Sequence, residues 1–137
     1  MIHIEVASGK EIETIIKDDS VYSRIADDFS PSSEVFEMPE VHGALAGFVN
    51  DNLSSLYIVD EGKLHFMVLG KYRGYSRKLL EKSFNYYNRD VYCIIPLKYD
   101  DTIKFAINSG FRVSGMVDDY RKIDGETFHG LVLERSV

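Results

Sequence analysis

The run Gly70-Lys71-Tyr72-Arg73-Gly74-Tyr75-Ser76 has residue types that could bind phosphate, and it joins a predicted strand to a predicted helix. Free amide groups at the start of a helix attract phosphate, and glycine lets a backbone approach a ligand closely. Basic residues gather in and after this run, namely Lys71, Arg73, Arg77, Lys78 and Lys82 (the basic cluster). These features fit a cradle for a phosphate or diphosphate. They also fit a solvated helix face behind two turn glycines, which is the commoner use of such a sequence, so anion binding by the cluster stays open.

The other potentially catalytic or metal-binding residues do not form a known motif. The histidines at positions 3, 42, 65 and 129 lack the spacing of metal ligands. Cys93 is alone, which excludes an internal disulfide and a thiolate metal cage. Caps and turns explain the four Asp-Asp pairs, since aspartate hydrogen-bonds its own backbone there. His65 and Glu61 are candidates for a base, but no partner supports either. The sequence therefore predicts no metal site and identifies no catalytic residue.

Hydrophobic periodicity predicts the elements that position these residues. We expect strands over Ile2–Val6, Val35–Met38, His42–Val49, Leu53–Val59, Leu64–Leu69, Val91–Leu97, Phe111–Val117 and Thr127–Leu133. We expect one helix after the capping box Ser8-Gly9-Lys10-Glu11 and a second over Ser20–Phe29. One face of a third helix is formed by Tyr72, Tyr75, Leu79, Ser83, Phe84 and Tyr87. The inner face of a fourth helix is formed by Ile103, Ala106 and Ile107. Asp100 or Asp101 should cap the fourth helix and Gly110 should end it.

The order of elements is β-α-α-β-β-β-α-β-α-β-β. Hairpins followed by βαβ units predict an α/β (α+β) fold with a mixed, twisted sheet and helices on both faces. The chain has 137 residues, the usual size of one domain, so we expect a single domain over residues 1–137.

Charge and hydropathy exclude two classes of partner. Sixteen basic and 22 acidic side chains give a net charge of −6, whereas a general nucleic-acid surface must be basic. The apolar stretch Val91–Leu97 is far shorter than the ~20 residues of a membrane span. The segment Met1–Val6 has strand alternation and lacks the basic flank and long apolar core of a signal peptide. We expect no nucleic acid, no membrane and a cytoplasm-like compartment.

Two motifs resemble the GNAT superfamily of N-acetyltransferases: Val68-Leu69-Gly70-Lys71-Tyr72-Arg73-Gly74, and the late Ser109-Gly110-Phe111-Arg112. With the order of elements, the resemblance covers roughly residues 1–134 and is strongest in the C-terminal half. It implies a GNAT-like, mainly antiparallel sheet of about six to seven strands. It also implies that acetyl-coenzyme A, if bound, would contact Met67, Val68, Arg73, Gly74 and Ser76.

The chain departs from the family pattern at three positions. The family's diphosphate loop has the form Q/R-x-x-G-x-G/A; Arg73 matches its first position, but Ser76 and Lys78 replace the two small residues. The family often has a tyrosine as general acid where this chain has Ala106, and a methyl group cannot donate a proton. Tyr99 and Tyr120 remain possible substitutes. Loss of one such donor commonly costs ~3 kcal/mol of transition-state stabilisation.

A narrower resemblance concerns short acidic proteins of tailed bacteriophages that carry a degenerate GNAT pattern. One such family is associated with head assembly in short-tailed phages. This resemblance implies a protein without catalysis and without a cofactor, which would be made in the host bacterial cytoplasm, associate with the virion and contact phage capsid or internal virion proteins. The alternative is an active acetyl-coenzyme A-dependent N-acetyltransferase with an atypical diphosphate loop. The sequence leaves the acceptor, the partner and the oligomeric state open.

Overall fold

The computed structural model describes residues 1–29 and 43–137. In chain order the elements are β1 (Ile2–Val6), α1 (Gly9–Lys17), α2 (Asp19–Ile25), β2 (Ala44–Val49), β3 (Asn52–Asp60), β4 (Lys63–Val68), a 3₁₀ segment (Gly70–Tyr75), α3 (Ser76–Tyr86), β5 (Val91–Pro96), α4 (Asp100–Asn108), β6 (Arg112–Ile123) and β7 (Glu126–Arg135). The predicted order and the mixed α/β class, with seven strands and a mainly antiparallel arrangement, are confirmed for the part of the chain that the structure describes. None of its helices is both long and apolar enough to cross a bilayer.

The described residues form two compact units. The first contains residues 1–25 and 43–88, and the second contains residues 26–29 and 89–137. The single domain over residues 1–137 stays a prediction.

The first unit is an antiparallel meander in the order β1-β2-β3-β4. Its two hairpin turns have consecutive residues with positive φ, Asn50 and Asp51 (49° and 67°) in one and Glu61 and Gly62 (49° and 84°) in the other. This backbone matches the twist of paired strands. The predicted hairpin at Asp60–Lys63 is therefore confirmed.

Helices pack on both faces of this meander, as predicted. Side chains alternate along a strand, so Leu56 and Ile58 point to the face opposite that of Tyr57. Leu56 and Ile58 are buried in one cluster with Ile15 of α1. On the other face, the Tyr57 and Phe84 rings meet edge to face, 5.5 Å apart, which places α3 there.

The beginning of α1 confirms the predicted capping box. The backbone N–H of Glu11 donates to Ser8 Oγ at 3.2 Å, and the N–H of Ser8 donates to Glu11 Oε1 at 2.9 Å. These two bonds satisfy donors that a helix start leaves unpaired.

The second unit has the strand order β5-β7-β6, with all pairs antiparallel. Gly110 follows α4 at a φ of 96°, as the predicted helix end requires. The β6–β7 turn has φ values of 52° at Asp124 and 80° at Gly125, which confirms the predicted hairpin. Asp28 accepts the N–H groups of both turn residues, at 2.7 and 2.8 Å.

Several local predictions are wrong. Helix α2 ends at Ile25 rather than at Phe29, whose side chain is 80% exposed. Tyr75 and Tyr87 are exposed rather than part of the inner face of α3. Tyr99, not an aspartate, is the N-cap of α4.

The aspartates of α4 have a different role from the one predicted. Asp100 and Asp101 lie in the first turn, where their negative charge interacts favourably with the positive end of the helix dipole. Ile107, near the C-terminal end of the same helix, is exposed rather than on its inner face. The predicted strand Val35–Met38, and His42 at the beginning of the predicted strand His42–Val49, lie outside the described residues.

Candidate functional site

The candidate phosphate loop begins where β4 ends, and its backbone contacts the start of α2. The N–H of Leu69 donates to the carbonyl of Ser54 at 2.9 Å, and the N–H of Gly70 donates to Ser20 Oγ at 2.9 Å. A Cβ added at Gly70 would lie 3.1 Å from the Cβ of Ser20. The glycine therefore permits the close approach of a protein side chain, and its amide group is already hydrogen-bonded.

Arg73 also contacts Ser20. The Arg73 guanidinium donates to the Ser20 carbonyl oxygen at 2.6 Å. Ser20 is held in turn by Asp18, whose Oδ1 accepts the Ser20 hydroxyl at 2.5 Å and its N–H at 3.0 Å. Asp18, Ser20, Gly70 and Arg73 thus form one network, which we call the Ser20 network. It fixes the predicted phosphate loop against α2.

The first turn of α3 is preceded by a 3₁₀ turn that uses several amide groups internally. The N–H of Tyr72 donates to the Leu69 carbonyl at 2.8 Å. The Arg73 carbonyl accepts both the N–H and, at 2.7 Å, the hydroxyl of Ser76. Phosphate sites at helix starts depend on amides that lack such partners. The amides of Gly70, Tyr72 and Ser76 therefore do not have the preorganised geometry of an anion cradle.

The five residues that the GNAT resemblance implies for acetyl-coenzyme A lie on one continuous stretch of chain. Met67 and Val68 end β4, Arg73 and Gly74 belong to the 3₁₀ segment, and Ser76 begins α3. The Met67 side chain packs in the core that α1 covers. Gly74 is exposed, and a Cβ added there would meet nothing within 4 Å. The assignment of these residues to a cofactor remains a prediction.

The basic cluster is exposed and partly engaged within the protein. Lys71 Nζ lies 5.6 Å from the centre of the Tyr72 ring, and Arg77 Nε lies 3.6 Å from Glu81 Oε1. Lys78 is exposed beside the two buried leucines of α3. Exposed pairs of this kind contribute ~0–1 kcal/mol, so they do not prevent these cations from meeting an anion.

The residues considered for acid or base chemistry lie on α4, β6 and β4 or at the start of α4. Ala106 is buried in α4 and presents only a methyl group. Tyr120 packs over Gly130, where an added Cβ would lie 2.8 Å from its ring carbons. Tyr99 is half-buried at the start of α4, and His65 is exposed on β4. Across residues 1–29 and 43–137, no group of three or more potential metal ligands is brought together.

The sequence did not predict the contacts of His129. His129 Nδ1 accepts the N–H of Asp119 at 3.0 Å and lies 3.8 and 3.9 Å from the carboxylates of Asp118 and Asp119. Asp119 has a φ of 49° where β6 shifts its register against β7. A bulge of this kind has no signature in the strand alternation. The Asp118-Asp119 pair was the available signal, and it indicated a turn or cap.

No family model and no curated protein matches the sequence. Solved structures do match the fold. An acetyltransferase of the GNAT family from Streptococcus pneumoniae has a TM-score of 0.74 at 14% identity, with 100% of each chain covered. The ribosomal-protein-S18-alanine N-acetyltransferase of Escherichia coli has a TM-score of 0.73 at 13% identity, covering 100% of this chain and 94% of its own. The spermidine N-acetyltransferase of Vibrio cholerae in complex with CoA and spermine has a TM-score of 0.75 at 11% identity, covering 98% of this chain and 95% of its own. The chain therefore has the GNAT fold, as its motifs and element order predicted.

Proposed function

We propose that this GNAT-fold protein does not catalyse acetyl transfer and acts through contacts with other proteins. The observation that carries the proposal is the Ser20 network. Arg73, the residue that matches the family's diphosphate loop, donates to the Ser20 carbonyl at 2.6 Å, and the Gly70 amide donates to the Ser20 hydroxyl at 2.9 Å. The arginine that matches the diphosphate loop, and the backbone amide of Gly70, which precedes it, are thus bound to α2.

The remaining family positions also do not fit the diphosphate of acetyl-coenzyme A. Ser76 bonds the preceding turn through its hydroxyl at 2.7 Å. Lys78 is exposed and has a long side chain where the family has a small residue, which disfavours close approach of the backbone to a ligand. Ala106 supplies no proton donor. Since one lost donor costs ~3 kcal/mol of transition-state stabilisation, or about 150-fold in rate, the combined changes leave little activity.

We propose a phage capsid or internal virion protein as the partner, with the protein made in a host bacterial cytoplasm. This part rests on the sequence resemblance alone. Its direct test is co-sedimentation of the purified protein with assembled phage heads. Retention of the protein in the head fraction through repeated sedimentation supports the proposal, and its complete loss from that fraction contradicts it.

An active acetyl-coenzyme A-dependent N-acetyltransferase is the second candidate, and the fold shared with three N-acetyltransferases favours it. In that case Met67, Val68, Arg73, Gly74 and Ser76 would contact the cofactor. An Arg73 side chain that turned to the diphosphate would first have to release the Ser20 carbonyl, and the cost of breaking that bond would weaken cofactor binding.

Thiol release from acetyl-coenzyme A, measured with a panel of primary amines and polyamines, distinguishes the two candidates. We expect no release above the buffer rate from the wild type. The matched double variant, Ser76→Gly with Lys78→Gly, restores both small residues of the family loop. Its thiol release, compared with that of the wild type, measures the effect of these two loop residues alone. Amine-dependent release by the wild type would establish the second candidate and refute the first.

A further inference from the structure

We infer that His129 is a pH-dependent switch, which holds a bulge of β6 when its imidazole is neutral and releases the bulge when the imidazole is protonated. Between the residues that pair with Gly130 and Phe128 of β7, strand β6 has residues 118–120, whereas β7 has only His129. Residues 118–120 are therefore an insertion in β6, which we call the β6 bulge. The inference concerns the second unit and does not depend on the proposed function.

The side chain of His129 holds the backbone of the β6 bulge. The N–H of Asp119 donates to His129 Nδ1 at 3.0 Å. Asp119 has a φ of 49°, in the left-handed region that residues with a side chain seldom adopt. A ring nitrogen that accepts a hydrogen bond carries no proton, so the neutral ring has its proton on Nε2. The bond thus fixes both the tautomer of the ring and the position of the Asp119 amide.

A protonated imidazole cannot make this bond, because both of its ring nitrogens are donors. Protonation would direct the new Nδ1–H at the N–H of Asp119, so the two groups would separate. The carboxylates of Asp118 and Asp119 lie 3.8 and 3.9 Å from Nδ1 and can accept a hydrogen bond from it. Histidine side chains ordinarily change charge between pH 5 and 8. The same nitrogen therefore has an amide partner at high pH and carboxylate partners at low pH.

The groups that face the imidazole do not titrate in the same range. In the described part of the second unit, the two carboxylates of the β6 bulge are the only acidic groups within 4 Å of Nδ1. Lys122 shares the His129 face, because it pairs with Thr127, two residues along β7. On the β5 side the neighbour is Leu97, which has no charge. Carboxylates and lysines ordinarily keep their charge between pH 5 and 8, so the imidazole is the group that responds.

Other charged groups of this region lie on the opposite face of β7 or bond one another. Side chains alternate along a strand, so Phe128 and Gly130 face away from His129. Lys98 Nζ lies 5.8 Å from the centre of the Phe128 ring. The Tyr120 ring packs over Gly130, and the guanidinium of the next residue lies 5.3 Å from its centre. The ion pairs on neighbouring segments are Lys98 with Asp124 and, on α4, Lys104 with Asp100.

Release would change the shape of β6 rather than that of β7. The His129 carbonyl accepts the N–H of Leu97 at 3.0 Å, which fixes the backbone of β7 from the β5 side. Strand β6 is the outer strand of the order β5-β7-β6 in this unit. The side chains of Asp118 and Asp119 are 86% and 78% exposed, so the β6 bulge can move without disturbing buried side chains. We therefore expect two states of the bulge, with the Asp119 amide bound or released.

Nuclear magnetic resonance of the full-length chain, labelled uniformly with ¹⁵N, tests the switch. A scalar coupling between the amide nitrogen of Asp119 and Nδ1 of His129 is transmitted only through the hydrogen bond that joins them. We expect this coupling at pH 8, with the ring proton on Nε2, and its loss at pH 5. Protection of the Asp119 amide from hydrogen exchange, corrected for the intrinsic rate, should fall about tenfold over the same range.

Two histidine variants separate the switch from general effects of pH. His129→Gln removes the titrating ring and should abolish the change in Asp119 protection between pH 5 and 8. His3→Gln is the matched control, because His3 also lies beside a carboxylate, 3.0 Å from Glu5 Oε1, but belongs to the first unit. It should leave the coupling and its loss at pH 5 unchanged. Circular dichroism at both pH values verifies that each protein is folded.

Three results would overturn the inference. The first is absence of the coupling in the wild type at pH 8, and the second is its persistence at pH 5. The third is a change in Asp119 protection that is equal in the wild type and in His129→Gln. Should His129→Gln fail to fold, the coupling in the wild type at the two pH values still decides the matter.

Discussion

The guanidinium of Arg73 donates a hydrogen bond to the carbonyl of Ser20, which lies 53 residues earlier in the chain. The same serine accepts the N–H of Gly70 through its hydroxyl. The residue that best matches the diphosphate loop of the GNAT fold is therefore a structural contact.

Arg73→Ala should lower the free energy of unfolding by about 1 kcal/mol, because a charged hydrogen bond is lost at an exposed site. Urea denaturation measures the change. Arg77→Ala is the matched control, since Arg77 makes an exposed ion pair with Glu81 at 3.6 Å; its effect should stay within about 0.5 kcal/mol. Equal effects of the two variants would contradict a structural role for Arg73.

Gly70→Ala should destabilise the protein by ~1–2 kcal/mol, because the new Cβ would lie 3.1 Å from the Cβ of Ser20. Gly74→Ala is the control in the same 3₁₀ segment, where an added Cβ meets nothing within 4 Å. That change should be neutral or stabilise by up to ~1 kcal/mol, because alanine restricts the unfolded chain. If thermal denaturation gives the same midpoint for both variants, the contact with Ser20 is not tight.

Gly47→Ala should destabilise the first unit by ~1–3 kcal/mol. An added Cβ would overlap Ser55 Oγ and lie 2.8 Å from Leu79 Cδ2, so these two buried side chains would have to shift. The control is Gly115→Ala in β6, where the nearest atom is 4.0 Å away. Chemical denaturation compares the two. A Gly47→Ala variant as stable as the wild type would contradict the packing of α3 on this face.

The order of elements could be predicted because each signal is local. Alternation at Ile2–Val6, the capping box at Ser8 and the dipeptide Asp124-Gly125 act over a few residues, and all three appear in the structure as expected. The helix predicted from Tyr72 was partly wrong for an equally local reason. Residues spaced by three, such as Tyr72 and Tyr75, fit a 3₁₀ turn as well as an α-helix, and the structure has the 3₁₀ form.

The Ser20 network could not be predicted because it joins residues distant in sequence. The run around Arg73 indicates a phosphate loop, and nothing in its composition shows that a serine of α2 accepts the Gly70 amide. The contact of His129 with the Asp119 amide was missed for a similar reason, since a bulge interrupts the alternation on which strand predictions depend. In both cases tertiary contacts decide the role of residues whose types alone indicated other chemistry.

We propose that the Ser20 network and Lys78 leave acetyl-coenzyme A without a diphosphate site. Calorimetric titration of the wild type with acetyl-coenzyme A tests it most directly. We predict no saturable heat at cofactor concentrations up to ~1 mM, where binding would be worth about 4 kcal/mol. A single-site isotherm with a micromolar dissociation constant, weakened by Arg73→Ala, would contradict the claim.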